Sequence, residues 1–151
     1  MGISPDRIYV TVHESIPLGR DDKSYDVWRE VIKIPEDKIK FGGIDDNFWV
    51  PTGSNGPCGP STEIYVDGIE IWNLVFNEYF SETSREQAYK TGWHLKDLDA
   101  KGVDTGMGLE RLAMVSQGKK NIFDTDLFMD LIPNGLPSIM DEQIKRIMLD
   151  H

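Results

Sequence analysis

The chain has 151 residues, 39% hydrophobic and 28% charged, and its 16 Lys and Arg against 26 Asp and Glu give a formal net charge of −10. One globular domain with four Trp, five Tyr and six Phe for its core fits these figures, whereas a disordered chain and a free-standing nucleic-acid binder, whose affinity would rest on Lys and Arg, are excluded. No run reaches the ~18 apolar residues of a membrane span, Met1 to Pro17 lacks the basic start and apolar stretch of a signal peptide, and the lone Cys58 forbids an internal disulfide or a multi-thiolate zinc site, so a cytoplasmic protein is expected.

Arg7 to His13 alternates, with Ile8, Val10 and Val12 on one face and Tyr9, Thr11 and His13 on the other, and so predicts a half-buried strand. Tyr25, Trp28, Val31 and Ile32 follow at helical spacing, with Asp21 or Asp22 available as N-cap and Pro35 ending the run, which predicts a short amphipathic helix. Residues 51–60 hold three Gly and three Pro and read as a shaped turn rather than regular structure. Glu63 to Val66 and Ile69 to Phe80 flank Asp67-Gly68, the pair suited to a two-residue type I′ turn, so an antiparallel hairpin is predicted, its second strand apolar on both faces and central in its sheet. Residues 81–101 show no period and read as a surface excursion. From Gly102 the order is strand, glycine turn at Gly106 and Gly108, then a helix with Leu109, Leu112 and Ala113 on one face and Gly118 as its stop. Two further helices are predicted, around Thr125 to Leu131 and from Ser138 to the end.

Charge is uneven along this order. Residues 41–80 carry six acids and no base. Together with Asn47, Phe48, Trp49, Asn55, Glu63, Trp72 and Asn73, this stretch suits a pocket that welcomes an ammonium group or a divalent cation and repels phosphate. A buried sheet with a solvated acidic rim gives the same composition.

Three ordered segments carry a resemblance: Asp46-Asn47-Phe48-Trp49 with Gly56-Pro57-Cys58-Gly59-Pro60, then Ile69-Glu70-Ile71-Trp72-Asn73-Leu74-Val75-Phe76, then Val103-Asp104-Thr105-Gly106-Met107-Gly108-Leu109-Glu110-Arg111-Leu112. Together they resemble the catalytic domain of alanyl-tRNA synthetase, a class II aminoacyl-tRNA synthetase, in the portion after motif 2 that includes motif 3. The resemblance runs from about Ser4 to Phe128. It implies an α+β fold, an incomplete antiparallel sheet of the class II type with flanking helices. Residues 1–134 would form the later part of the catalytic domain and residues 135–151 the start of a helical tRNA-recognition region. Motifs 1 and 2 are expected on a segment or chain outside this one, with self-association as a further expectation.

The implied reaction is ATP-dependent alanine activation, attack of the alanine carboxylate on the α-phosphate, followed by alanyl transfer to tRNA. Its implied partners are alanine, ATP and tRNA. By the same resemblance Arg111 meets ATP, with Gly108 letting backbone approach it, and Asp104 pairs with the ammonium of alanine. Trp49, Asn73 and Gly106 line the alanine pocket. Residue chemistry alone, without the matched segment, reads Arg111 as a surface partner of Glu110 or Asp104, and leaves Asp104 open as a turn residue and Trp49 as core. Mg2+ is expected with ATP, with Glu70 as a candidate ligand, and no zinc is expected in this segment. In a regular strand, however, Glu70 and Asn73 face opposite sides and cannot line one pocket without a bulge. Cys58 reads as a packed thiol, because Ser61 stands where many family members carry a second cysteine. The isolated chain is expected to be inactive. An alternative is a non-catalytic truncated paralogue or split-gene module that binds alanine or ATP, or docks on a chain carrying motifs 1 and 2.

Overall fold

The computed structural model describes residues 2–15, 18–51, 53 and 55–129. The predicted helix from Ser138, the boundary at 134/135 and the end of the helix around Thr125 lie outside the described residues.

Among the described residues, a seven-stranded sheet organises the chain. Its main path runs β2 (Gly19–Arg20), β1 (Ile8–Ser15), β5 (Gly56–Val66), β6 (Ile69–Ser81), β7 (Leu95–Met107), each pair antiparallel. Two short strands lie off this path, β3 (Ile39–Gly42) parallel to β1 and β4 (Phe48–Trp49) antiparallel to β5. The fold is thus the expected α+β arrangement, an antiparallel sheet with a few flanking helices. The β5–β6 hairpin turns at Asp67 and Gly68, whose φ values of 52° and 86° are the two positive angles that a type I′ turn demands. As its apolar sequence predicted, β6 lies inside the sheet, between β5 and β7.

Several expectations need correction. The glycine- and proline-rich run is half strand, because β5 begins at Gly56 and carries Pro57 to Pro60 into the sheet. There Gly59 lets the chains approach: a Cβ on it would lie 1.7 Å from the Phe76 carbonyl oxygen, beside a register shift between Cys58 and Ser61. The 81–101 excursion holds α2 (Arg85–Thr91), started by a capping box between Ser84 and Gln87, and the first half of β7. The predicted amphipathic helix is α1 (Asp22–Asp26), capped by Asp21 and continued as a π-helical turn over Val27–Val31. Trp28 packs against the sheet and its Nε1 donates to Thr62 Oγ1 at 2.7 Å, but Val31 and Ile32 stand exposed, because the wider turn carries them off the packed face. β1 is covered on both faces at its end, where His13 is buried against Phe48.

The core sits mainly behind the sheet. Val10, Val12, Tyr25 and Ile39 form one cluster, and Val66, Ile71, Met114 and Val115 a second, under α3 (Leu109–Ser116). Met114 and Val115, with Leu112, rather than Leu109 with Leu112 and Ala113, make the inward face of α3; Leu109 at its first turn is 65% exposed. Gly118, at φ 63°, ends that helix as predicted. α4 (Asp126–Met129) closes the described part.

Candidate functional site

One irregularity decides which side chains share the front of the sheet. Ile64 pairs with Trp72, but the next residue, Tyr65, pairs with Glu70, so Ile71 is an extra residue in β6. This bulge lets Ile71 and Trp72 both pack into the cluster under α3. The parity of the strand is reset across it, and Glu70 and Asn73 fall on the same, front face. The bulge thus removes the obstacle that a regular strand would have imposed.

Register carries the face across four strands: Thr11 opposite Glu63, Glu63 opposite Asn73, Asn73 opposite Gly106, and Val75 opposite Asp104. β4 sets Trp49 at the rim, 45% exposed rather than in the core. Trp49, Asn73, Val75, Asp104, Thr105 and Gly106 line one cleft of ≈ 270 Å³. Of the residues singled out in the sequence, Trp49, Asn73, Asp104 and Gly106 therefore come together from three segments separated along the chain. A Cβ added at Gly106 would meet no atom of the described residues within 4 Å, so the strand tolerates a side chain there and the open space belongs to the cleft.

Hydrogen bonds order the polar groups of this face. Asn77 Nδ2 donates to Asp104 Oδ2 at 2.7 Å, and Asn73 Nδ2 donates to Glu63 Oε1 at 3.4 Å. Both asparagines keep Oδ1 buried with no hydrogen-bond partner among the described residues. Glu63 is buried, and burial is the first cause that pushes its carboxyl above the usual range; nearby Glu70 and Asp46 add to this, while hydrogen bonds from Tyr65 and Thr11 oppose it. Burial likewise pushes the Tyr65 phenol up, with the Glu63 hydrogen bond second.

Arg111 and Gly108 lie at the end of the bulge, outside the cleft. The Arg111 Nη1 donates to the Glu70 backbone oxygen and to its Oε2, both at 3.2 Å, while its stem lies over Gly108, whose added Cβ would be 3.2 Å from the Arg111 Cδ. The guanidinium is half-exposed and pairs with Glu70, not with Glu110 or Asp104. No group of three or more His, Cys, Asp or Glu among the described residues is placed to hold a metal ion, and the Glu70 carboxylate is already paired with an arginine. Cys58 is fully buried, its thiol pushed up to about 11 by that burial, which fits the packed thiol read from the sequence. No described helix is long and apolar enough to cross a membrane.

Sequence reasoning missed Asn77 and gave Glu63 no defined task. Asn77 is four residues beyond Asn73 on one strand, and period-two counting would have put both on one face. Glu63 stood out only as a polar residue in a base-free stretch, since its partners come from strands far apart in sequence.

Residues 1–139 match the family model for class II (A) tRNA synthetases, and the chain belongs to that family. Its relatives include proteins named alanine-tRNA ligase: one from Borreliella afzelii is 42% identical over 151 aligned residues, one from Carboxydothermus hydrogenoformans 39% over 152, and one from Petrotoga mobilis 35% over 168. These alignments take in 87%, 87% and 97% of this chain but 24%, 16% and 17% of the respective relatives, so the chain spans under a quarter of their length. The resemblance to the alanyl-tRNA synthetase catalytic domain read from the three motifs is borne out.

Proposed function

We propose that this chain is the motif 3 portion of an alanine-tRNA ligase catalytic domain, supplying the alanine pocket and the arginine that meets ATP, and inactive without the segments carrying motifs 1 and 2. The observation that carries this reading is the convergence of Trp49, Asn73, Asp104 and Gly106 on one small acidic cleft. Asp104 offers a carboxylate to the alanine ammonium, Trp49 walls the mouth, and Gly106 leaves room for the rest of a small amino acid. Steric exclusion of larger side chains suits such a site, whereas glycine and serine differ from alanine by only ~1–3 kcal/mol of pocket interaction.

Arg111 serves the anionic half of the substrate. One of its nitrogens holds Glu70, which leaves Nε and Nη2 to fork onto phosphate oxygens or to stack with the guanidinium plane on adenine. The work of these groups is positioning and charge neutralisation while the alanine carboxylate oxygen attacks the α-phosphorus and pyrophosphate leaves. Mg2+ would take most of its oxygen ligands from phosphates and water, with Glu70 as the protein's contribution. Alanine, ATP and tRNA are the substrates of the complete enzyme, and cytoplasm is its compartment.

Calorimetric titration of a non-hydrolysable alanyl-adenylate analogue tests the reading, with Asp104→Ala and Arg111→Ala as controls. Binding abolished by both substitutions supports it. Binding that neither changes removes Asp104 and Arg111 from the site.

A second reading, a module that docks on a chain carrying motifs 1 and 2, is favoured by β7. Its outer edge pairs with no other described strand, and Val103 and Met107 on it are 59% and 39% exposed. Co-expression with a motif 1 and 2 chain would give a stable complex with ligase activity under this reading, and two separate inactive proteins otherwise.

A further inference from the structure

Among the described residues, Glu63 is a carboxylate handled by neutral donors alone. It is 6% exposed, and no Lys or Arg occurs from Phe41 to Ser84. Tyr65 Oη donates to its Oε2 at 2.8 Å, Thr11 Oγ1 donates to the same oxygen at 3.3 Å, and Asn73 Nδ2 donates to Oε1 at 3.4 Å. Each partner is itself placed by the sheet, since Thr11 and Asn73 lie directly across from Glu63 on the two neighbouring strands. Tyr65 is further fixed by stacking on Tyr9, ring centroids 4.8 Å apart.

Against an ionised Glu63 carboxylate, one orientation of the Asn73 amide is favoured. Only its NH2 end can give a hydrogen to a carboxylate; the reversed amide would set two acceptors against each other. Once Nδ2 is committed to Glu63, Oδ1 is left as a buried acceptor with no partner among the described residues, in a residue that lines the cleft beside Asp104. A buried acceptor without a donor is an uncompensated cost in the empty protein. An ammonium group brings three donors, enough to serve Asp104 and Asn73 together.

We propose that Glu63 is a positioning residue of the cleft, which by accepting from Asn73 Nδ2 fixes the Asn73 amide with Oδ1 as the acceptor offered to the ammonium group of the amino-acid ligand. The ligand part of this statement rests on the alanine-pocket reading above; the amide part does not. Glu63 itself touches no ligand. It makes the cleft selective for a hydrogen-bond donor at that spot.

The full chain, labelled with 15N and 13C, decides both parts. In the wild type the Asn73 Nδ2 protons should exchange slowly with water and shift as the Glu63 carboxyl carbon titrates. In Glu63→Leu they should exchange at least about tenfold faster, the equivalent of one lost hydrogen bond to a charged group. Preference for a non-hydrolysable alanyl-adenylate analogue over its des-amino counterpart should fall about tenfold or more in the same variant. It should return in the exchange Glu63→Gln with Asn73→Asp, where the new amide donates to the new carboxylate and leaves one oxygen for the ligand.

Unchanged Asn73 exchange in folded Glu63→Leu overturns the proposal, as does an unchanged preference for the ammonium-bearing ligand. Should that variant not fold, the wild-type titration decides, and an Asn73 amide indifferent to the Glu63 carboxyl overturns it. A wild type that binds neither ligand sinks the alanine-pocket reading, while loss of Asn73 protection in Glu63→Leu would still uphold the positioning of the amide.

Discussion

Gly106 separates two explanations of a glycine that most sequence arguments cannot tell apart. If the residue is there for the backbone, any side chain strains β7; if it is there for the ligand, a side chain is harmless until something binds. A Cβ at this position meets no atom of the described residues within 4 Å, and the glycine has no positive φ. Gly106→Ala should therefore leave the fold intact or stabilise it by about 0.4–1 kcal/mol, through lower entropy of the unfolded chain. Gly106→Val places a branched side chain in a cleft of ≈ 270 Å³ opposite Asn73. Overpacking of about 1–3 kcal/mol against a bound ligand converts to about 5- to 150-fold weaker binding. Thermal unfolding and calorimetric titration of the alanyl-adenylate analogue, run on the same two variants, read the two effects separately. A clear drop in midpoint for Gly106→Ala would refute the steric account of the fold. Wild-type affinity in a folded Gly106→Val would refute the assignment of the cleft.

Gly59 should behave in the opposite way: its Cβ would lie 1.7 Å from backbone, so Gly59→Ala should cost about 3 kcal/mol or more in urea unfolding, and a loss under about 0.5 kcal/mol would show that β5 and β6 can part there. Cys58 should be silent toward a disulfide reagent at pH 8 in the native chain and react fully once unfolded, because burial holds its thiol up at about 11; rapid native labelling would contradict this. Asp67 lies below the ordinary carboxylate range, first through its hydrogen bond from Arg7, so its contribution is complete above the unfolded value near ~4 and is lost as pH falls through the folded one. The difference in thermal midpoint between wild type and Arg7→Gln should shrink over that acid window, and a difference constant down to about pH 2 would count against the pair.

The hairpin at Asp67-Gly68, the inner position of β6 and the stop at Gly118 were legible because each follows from local chemistry: positive φ, apolar faces, a helix end. Trp49, Asn73, Asp104 and Gly106 were legible only through matched motifs, since nothing in their spacing says that three segments meet. The strand hidden in residues 56–60 was lost because Pro and Gly signal turns, yet a glycine is what the close approach of β6 requires at position 59. α2 was readable in principle from Ser84 and Gln87, whose spacing fits a capping box, but no apolar period drew attention to it. A bulge is the condition for Glu70 and Asn73 to share a face, and only cross-strand register shows that it is present and that Ile71 is the extra residue. Asn77 was overlooked because its partner, Asp104, is supplied by another strand.

The same bulge also works as a joint. A residue looped out of a ladder leaves carbonyls that the neighbouring strand cannot serve, and here the start of α3 takes them: the Gly108 amide donates to the Ile71 oxygen at 3.1 Å, and Arg111 Nη1 to the Glu70 oxygen at 3.2 Å. The helix is thereby keyed to the strand at one fixed point, two residues from Asn73. The placement of the Arg111 side chain is thus tied to the backbone of β6, the same strand that carries Asn73 into the cleft.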